Sequence, residues 1–187
     1  RLDISDAIIL STGAVLSRKL NKVVEETAHT VELYSLPVLA EGMEREIIEE
    51  HAESDRVFTI KNGEAVQLNI ATGLGSGKLL DNAIDDDVTH IFVPGAFTQS
   101  VVADIDRRKL KRTTFVLKDP TKIFIDKASW GRLRKYGLNV KVLENITVAA
   151  ITVNPTSPAG YSFDHGEMAS AMQKAVPDIP VIDVMMG

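Results

Sequence analysis

The chain has 187 residues, enough for one sizeable domain or two small ones, and its 26 acidic and 21 basic side chains leave a net charge of −5. That balance argues against a general nucleic-acid or membrane-surface binder. The absence of cysteine excludes disulfides, thiolate catalysis, iron–sulfur clusters and cysteine zinc sites.

No apolar run approaches the roughly 20 residues that a membrane-spanning helix needs, and no signal peptide opens the sequence. The expected location is the cytoplasm. Initiator methionine is normally retained before a residue as large as Arg1, so the natural start is expected upstream of it.

Ala7 to Leu10 is a short apolar run leading into Ser11-Thr12-Gly13-Ala14, which predicts a buried strand and a tight loop. Leu16, Leu20, Val23, Val24, Thr27, Val31 and Tyr34 recur at helical spacing, and Pro37 ends that helix. Glu41 to Glu53 reads as a second helix, acidic outside, with Met43, Ile47 and Ile48 inside. Asn62-Gly63 between two alternating runs predicts a hairpin, because both turn residues need positive φ. A glycine-rich loop follows, then a short helix from Lys78 to Ile84.

His90 to Val93 is a buried strand broken by Pro94-Gly95. Thr98 is placed to cap a helix carrying Val101, Val102 and Ile105 and ending in five basic residues between Arg107 and Arg112. Thr113 to Leu117 reads as a strand, and Lys127 to Tyr136 as a helix closed by Gly137. Strands follow at Val140 to Leu143 and at Ile146 to Val153. Asp164 with Glu167 marks the start of a helix to about Ala175, and Pro180 to Val184 is the last strand. This alternation predicts an α/β fold: a mostly parallel sheet with helices on both faces, plus one antiparallel hairpin. Residues 1–187 read as a single α/β domain, the C-terminal part of a longer protein, with 41–70 as a candidate small insertion.

Ligands of open parallel sheets bind beyond the carboxyl ends of the strands. Candidate ligand contacts there are Thr12 and Gly13, Gly95 and Thr98, Lys118 and Asp119, and Asn154, Thr156 and Ser157. Strand-to-helix turns need such residues in any case. Lys118-Asp119 would suit proton transfer in a cleft, whereas the plainer role for Asp119 is to cap the next turn. Gly73-Leu74-Gly75-Ser76-Gly77-Lys78 looks like a phosphate cradle but fails the P-loop pattern: Thr72 stands where the first glycine belongs, and Leu79 where a hydroxyl belongs.

The four histidines, His29, His51, His90 and His165, show no metal-ligand spacing. Asp81 with Asp85-Asp86-Asp87 reads as a solvated turn, with a divalent cation as the sharper alternative. No metal site is assigned. The basic run Arg107 to Arg112 has no interleaved aromatics and reads as a solvated helix end.

Two segments carry a family resemblance. They are Ser5-Asp6-Ala7-Ile8-Ile9-Leu10-Ser11-Thr12-Gly13-Ala14-Val15-Leu16-Ser17-Arg18, continuing through Asn21 to Thr27, and Ala150-Ile151-Thr152-Val153-Asn154-Pro155-Thr156-Ser157-Pro158-Ala159-Gly160-Tyr161-Ser162-Phe163-Asp164. Together they resemble the C-terminal half of a bacterial family with a P-loop NTPase motif near its N-terminus. That family is associated with lysine fermentation through the cobalamin-dependent lysine 5,6-aminomutase, for which a reactivase subunit role has been proposed. The resemblance implies a nucleotide-linked accessory protein whose ATP or GTP loop lies upstream of this chain and whose partner is an aminomutase. It assigns no catalytic residue here.

Three readings follow. One is the accessory portion of a nucleotide-dependent, P-loop-related protein servicing a partner enzyme. The second is a small-molecule-binding domain or enzyme with a polar site at the strand ends. The third is a structural assembly domain. No nucleic-acid or membrane partner is expected, and a homo-oligomer is compatible with all three.

Overall fold

A computed structural model describes residues 7–71 and 77–186. The elements in chain order are β1 (Ala7–Gly13), α1 (Leu20–Leu33), α2 (Met43–His51), β2 (Arg56–Lys61), β3 (Glu64–Ala71), α3 (Gly77–Ala83) and β4 (Val88–Val93). Next come β5 (Phe97–Thr98), α4 (Gln99–Val102), α5 (Arg107–Arg112), β6 (Thr114–Leu117), β7 (Ile123–Phe124), α6 (Lys127–Lys135), β8 (Asn139–Val142), β9 (Thr147–Asn154), α7 (His165–Ala175) and β10 (Val181–Asp183). The chain is α/β. Its contacts cluster into two compact units. The first joins the described residues up to Ser35 with those from Ile146 onward, and the second spans Leu36–Asn145. The segment 41–70 lies within the second unit, where its hairpin supplies two strands of the main sheet.

The first unit has a three-stranded sheet of order β1-β9-β10, parallel throughout. β9 and β10 are parallel because α7 carries the chain back between them, the crossover that a parallel pair requires. Val23 of α1 and Met168 and Met172 of α7 share one core with Val148, Ile151 and Val153 of β9. Ile8 and Leu10 of β1 pack against that core. Alternation then turns Ile9 to the other face, where it is 64% exposed, and Ile182 of β10 is 51% exposed. So the helices of this unit cover one face of its sheet, whereas the alternation of strands and helices had predicted cover on both.

The second unit has a five-stranded sheet of order β3-β2-β4-β6-β8. β3–β2 and β2–β4 are antiparallel, and β4–β6 and β6–β8 are parallel. The sheet is therefore mixed, because the hairpin joins its edge instead of standing apart as an addition to a parallel sheet. The Asn-Gly turn forms as its chemistry predicts, with Asn62 at φ 52° and Gly63 at φ 77°. Phe58, Phe92 and Val116 pack with Ile48 of α2, and the Phe58 and Phe92 rings lie 5.1 Å apart. The alternate residues Ile91, Val93, Phe115 and Leu117 are buried too. Such near-continuous burial on both faces is why these strands read as unbroken apolar runs.

One predicted helix is two. The helix after Thr98 stops at Val102, and a second starts at Arg107. Asp106 is the cause: its carboxylate accepts the Arg108 N–H at 2.8 Å and caps a new start. The basic run is thus a helix of its own. Thr98, the predicted cap of the first of these helices, makes no side-chain cap bond, whereas two other predicted helix ends hold. Asp164 accepts the Glu167 N–H at 2.8 Å to open α7, and Gly137 takes φ 101° after α6.

Candidate functional site

The first unit places two strand ends side by side. Thr12 pairs with Val153 and Gly13 with Asn154, and the Ala14 N–H donates to the Asn154 carbonyl at 2.9 Å. A Cβ on Gly13 would sit 2.3 Å from that carbonyl oxygen, so only glycine permits this approach. β1 then turns away, with the Leu16 N–H donating to the Gly13 carbonyl at 3.1 Å.

The loop after β9 folds back on itself. Asn154 Oδ1 accepts the Thr156 N–H at 2.9 Å, an Asx turn. The Phe163 N–H reaches the Pro155 carbonyl at 2.9 Å, and Gly160 adopts φ 82° at the tip. Tyr161 then donates its hydroxyl to the Ala14 carbonyl, tying this loop to the one after β1. The Arg18 guanidinium lies 5.3 Å from the centre of the Tyr161 ring.

Between these loops lies a cavity of about 320 Å³, lined by Ser11, Thr12, Gly13, Val15, Leu16, Asn154, Thr156 and Pro158. Its polar groups are hydroxyls, one amide and backbone. None of its lining residues is charged. Val15 and Leu16 are 66% and 61% exposed and form apolar lips. A ligand with a neutral polar end and a small apolar body would satisfy both kinds of wall.

Of the residues singled out in the sequence, Thr12, Gly13, Asn154 and Thr156 line this one cavity. The Thr12 hydroxyl is already engaged: it lies 2.8 Å from Thr27 Oγ1, which itself donates to the Val23 carbonyl at 2.8 Å. With the Thr27 proton so used, Thr12 is the donor, and its hydroxyl locks β1 to α1. Ser157 is buried outside the cavity and accepts the Ala159 N–H at 3.2 Å, which shapes the turn.

The other candidates lie in the second unit. Gly95 is half-buried between β4 and β5. Thr98 Oγ1 lies 2.8 Å from Ser100 Oγ and makes no side-chain cap bond. Lys118 Nζ sits 3.5 Å from the exposed Glu53 carboxylate. Asp119 accepts the Thr121 N–H at 2.8 Å and also its hydroxyl, the turn-capping role. None of these four lines the cavity among α4, α5 and α6 or the smaller one beside β2 and β3.

The structure adds a pair at the same strand-end rim that sequence reasoning missed. His165 Nδ1 lies 2.8 Å from Asp183 Oδ2. Asp183 pairs with Val153 across from Thr12, and His165 opens α7. Burial pushes the Asp183 pKa up, but the Met185 N–H and His165 outweigh it and hold the carboxylate below its ordinary range. The available signal was positional: an aspartate at the carboxyl end of the last strand, and a histidine in a helix's first turn.

The Asp81–Asp87 segment meets cations of the protein itself. Lys109 approaches Asp81 at 3.3 Å, Lys61 pairs with Asp85, and Arg112 pairs with Asp86. Among the described residues, no group of three or more His, Asp or Glu is placed to hold a metal ion. The glycine loop's Thr72 to Ser76 lies outside the described residues. No helix among the described residues is long and apolar enough to cross a membrane. No protein-family model matches the chain, and no curated protein or solved structure matches it.

Proposed function

We propose that the first unit is a small-molecule-binding module, holding a neutral polar ligand in the cavity at the carboxyl ends of β1 and β9. The observation that carries this reading is the convergence of Ser11, Asn154 and Thr156 on a space with apolar lips and no lysine or arginine in its lining. Nucleoside triphosphates are poor candidates for that space, since phosphates want cations or a nest of N–H groups. Asn154 spends its Oδ1 on the Thr156 turn, which leaves its Nδ2 as the donor for a ligand carbonyl or hydroxyl.

The test is an NMR screen of small amides, polyols and nucleosides against the chain, repeated with Ser11→Phe to fill the cavity. Hits that perturb the Val15 and Thr156 amides and vanish in the variant support the reading. Hits that persist in Ser11→Phe would place binding elsewhere and end it.

A wider role as the accessory portion of a nucleotide-dependent protein, servicing a cobalamin-dependent aminomutase, is our second reading. It is favoured by one observation: the residues that line this cavity, between Ser11 and Leu16 and between Asn154 and Pro158, all belong to the two resembling segments. Titrating ATP and GTP into the product of the intact gene and into this chain tests it. Binding by the intact product alone supports the accessory reading, and binding by neither removes it.

A further inference from the structure

The second unit carries a cavity with the opposite chemistry. It has a volume of about 230 Å³ and lies among α4, α5 and α6, where Val102, Ile105 and Leu133 give an apolar floor. Two guanidiniums flank it, those of Arg107 and Arg132, together with the Gln99 amide and the Tyr136 ring.

Both arginines are positioned by the protein. The Arg107 guanidinium carbon stands 3.9 Å from the centre of the Tyr136 ring, within stacking range. Arg132 Nη2 donates to Ser129 Oγ at 2.9 Å. Ser129 in turn donates its hydroxyl to Asp126 Oδ2 at 2.7 Å, and its backbone N–H to Asp126 Oδ1 at 3.0 Å. Those bonds, the backbone N–H first, hold the Asp126 carboxyl below its ordinary range. Asp126 offsets part of the Arg132 charge, but both its oxygens are already committed to Ser129.

The contrast with neighbouring cations is informative. Lys109 and Arg112, on the same helix as Arg107, are paired with Asp81 and Asp86. Arg107, which is exposed, makes no carboxylate pair among the described residues, and stacking on the Tyr136 ring uses none of its N–H donors. A guanidinium has five donors in a planar fork that matches a phosphate or carboxylate bidentately. Two such forks beside an apolar floor and a ring fit an anion joined to a small hydrophobic body.

We propose that this cavity is a binding site for the phosphate group of a small phosphorylated compound, with Arg107 and Arg132 as its anion contacts and Tyr136 against its body. The site is independent of the cavity in the first unit and does not rest on that reading.

The experiment is a calorimetric titration of the full chain with phenyl phosphate, inorganic phosphate and phenol. Phenyl phosphate should saturate with a Kd on the order of 1 mM or tighter. Inorganic phosphate, lacking the body, should bind about tenfold more weakly, and phenol, lacking the anion, weaker still. Arg107→Gln and Arg132→Gln should each cost about tenfold, with far-ultraviolet circular dichroism confirming that both variants fold. Arg107→Lys keeps the charge without the fork and should recover only part of the loss. Lys111→Gln, outside the cavity lining, should leave affinity unchanged. Absence of saturable phenyl phosphate binding would overturn the proposal. So would an equal loss in Lys111→Gln, which would reduce the effect to diffuse charge.

Discussion

The two units solve the same packing problem with different amounts of cover. In the second, Phe92 and Val116 face one layer while Ile91 and Phe115 face another, and all four are fully buried. In the first, a short parallel sheet has helices on one side and exposed Ile9 and Ile182 on the other. Parallel sheets are almost always covered on both faces. The second unit therefore has the larger reserve of apolar burial, while the first has its strand ends organised around a cavity.

That contrast can be broken by mutation. The largest effect is expected from Phe92→Ala, which empties a core position in the second unit and should cost about 3–5 kcal/mol, read by urea denaturation. Hydrogen exchange sharpens the test: β4 and β6 amides should lose protection while β1 and β9 amides keep theirs. Equal loss in both would show one cooperative fold and erase the distinction. Next is Gly13→Ala, which forces a methyl against the Asn154 carbonyl. A cost of about 1–3 kcal/mol is expected, with the loss of protection confined to β1 and β9.

Thr12→Val should cost about 1 kcal/mol by removing the donor to Thr27, measured as a shift in the urea midpoint. It should leave ligand hits in the cavity intact, because the Thr12 hydroxyl is committed to the helix layer. Loss of the hits with unchanged stability would mean the opposite assignment. The smallest effect is on pH dependence. Burial lowers the His90 pKa from its ordinary 6.5, ahead of the opposing influence of Glu44 and the weaker effect of Lys141. A depressed folded value means stability that is present above 6.5 and lost as pH falls through the folded pKa. In the second unit, β4 protection should decline on acidification below that point, and His90→Gln should flatten the decline.

Local chemistry was legible wherever one or two residues decide it. Asn62-Gly63 demanded positive φ at both positions, and the hairpin is there. Asp164 and Gly137 marked helix ends for reasons contained within a turn of chain. Pairing was not legible. β1 lies beside β9, and no property of either segment names the other over that separation. The same gap explains the site: each strand-end loop was recognisable as polar and small, but which loops share a cavity is decided by strand order. Asp106 was overlooked because a cap reads weakly inside an amphipathic run, so a single helix was expected where α4 and α5 stand. His165 and Asp183 each have an ordinary local reading, and only the β10 register brings them together.

The first unit is assembled from segments on either side of Leu36–Asn145. During translation β1 leaves the ribosome before the second unit and does not meet its partner strand until β9 follows, after the entire second unit. Over that interval Ile8 and Leu10, which later pack on the β9 core, are sticky segments on a nascent chain. At about 5–20 residues per second, the wait is on the order of ten seconds. Chaperone demand should therefore concentrate on β1, and a ribosome stalled within the second unit should yield a product that aggregates through it.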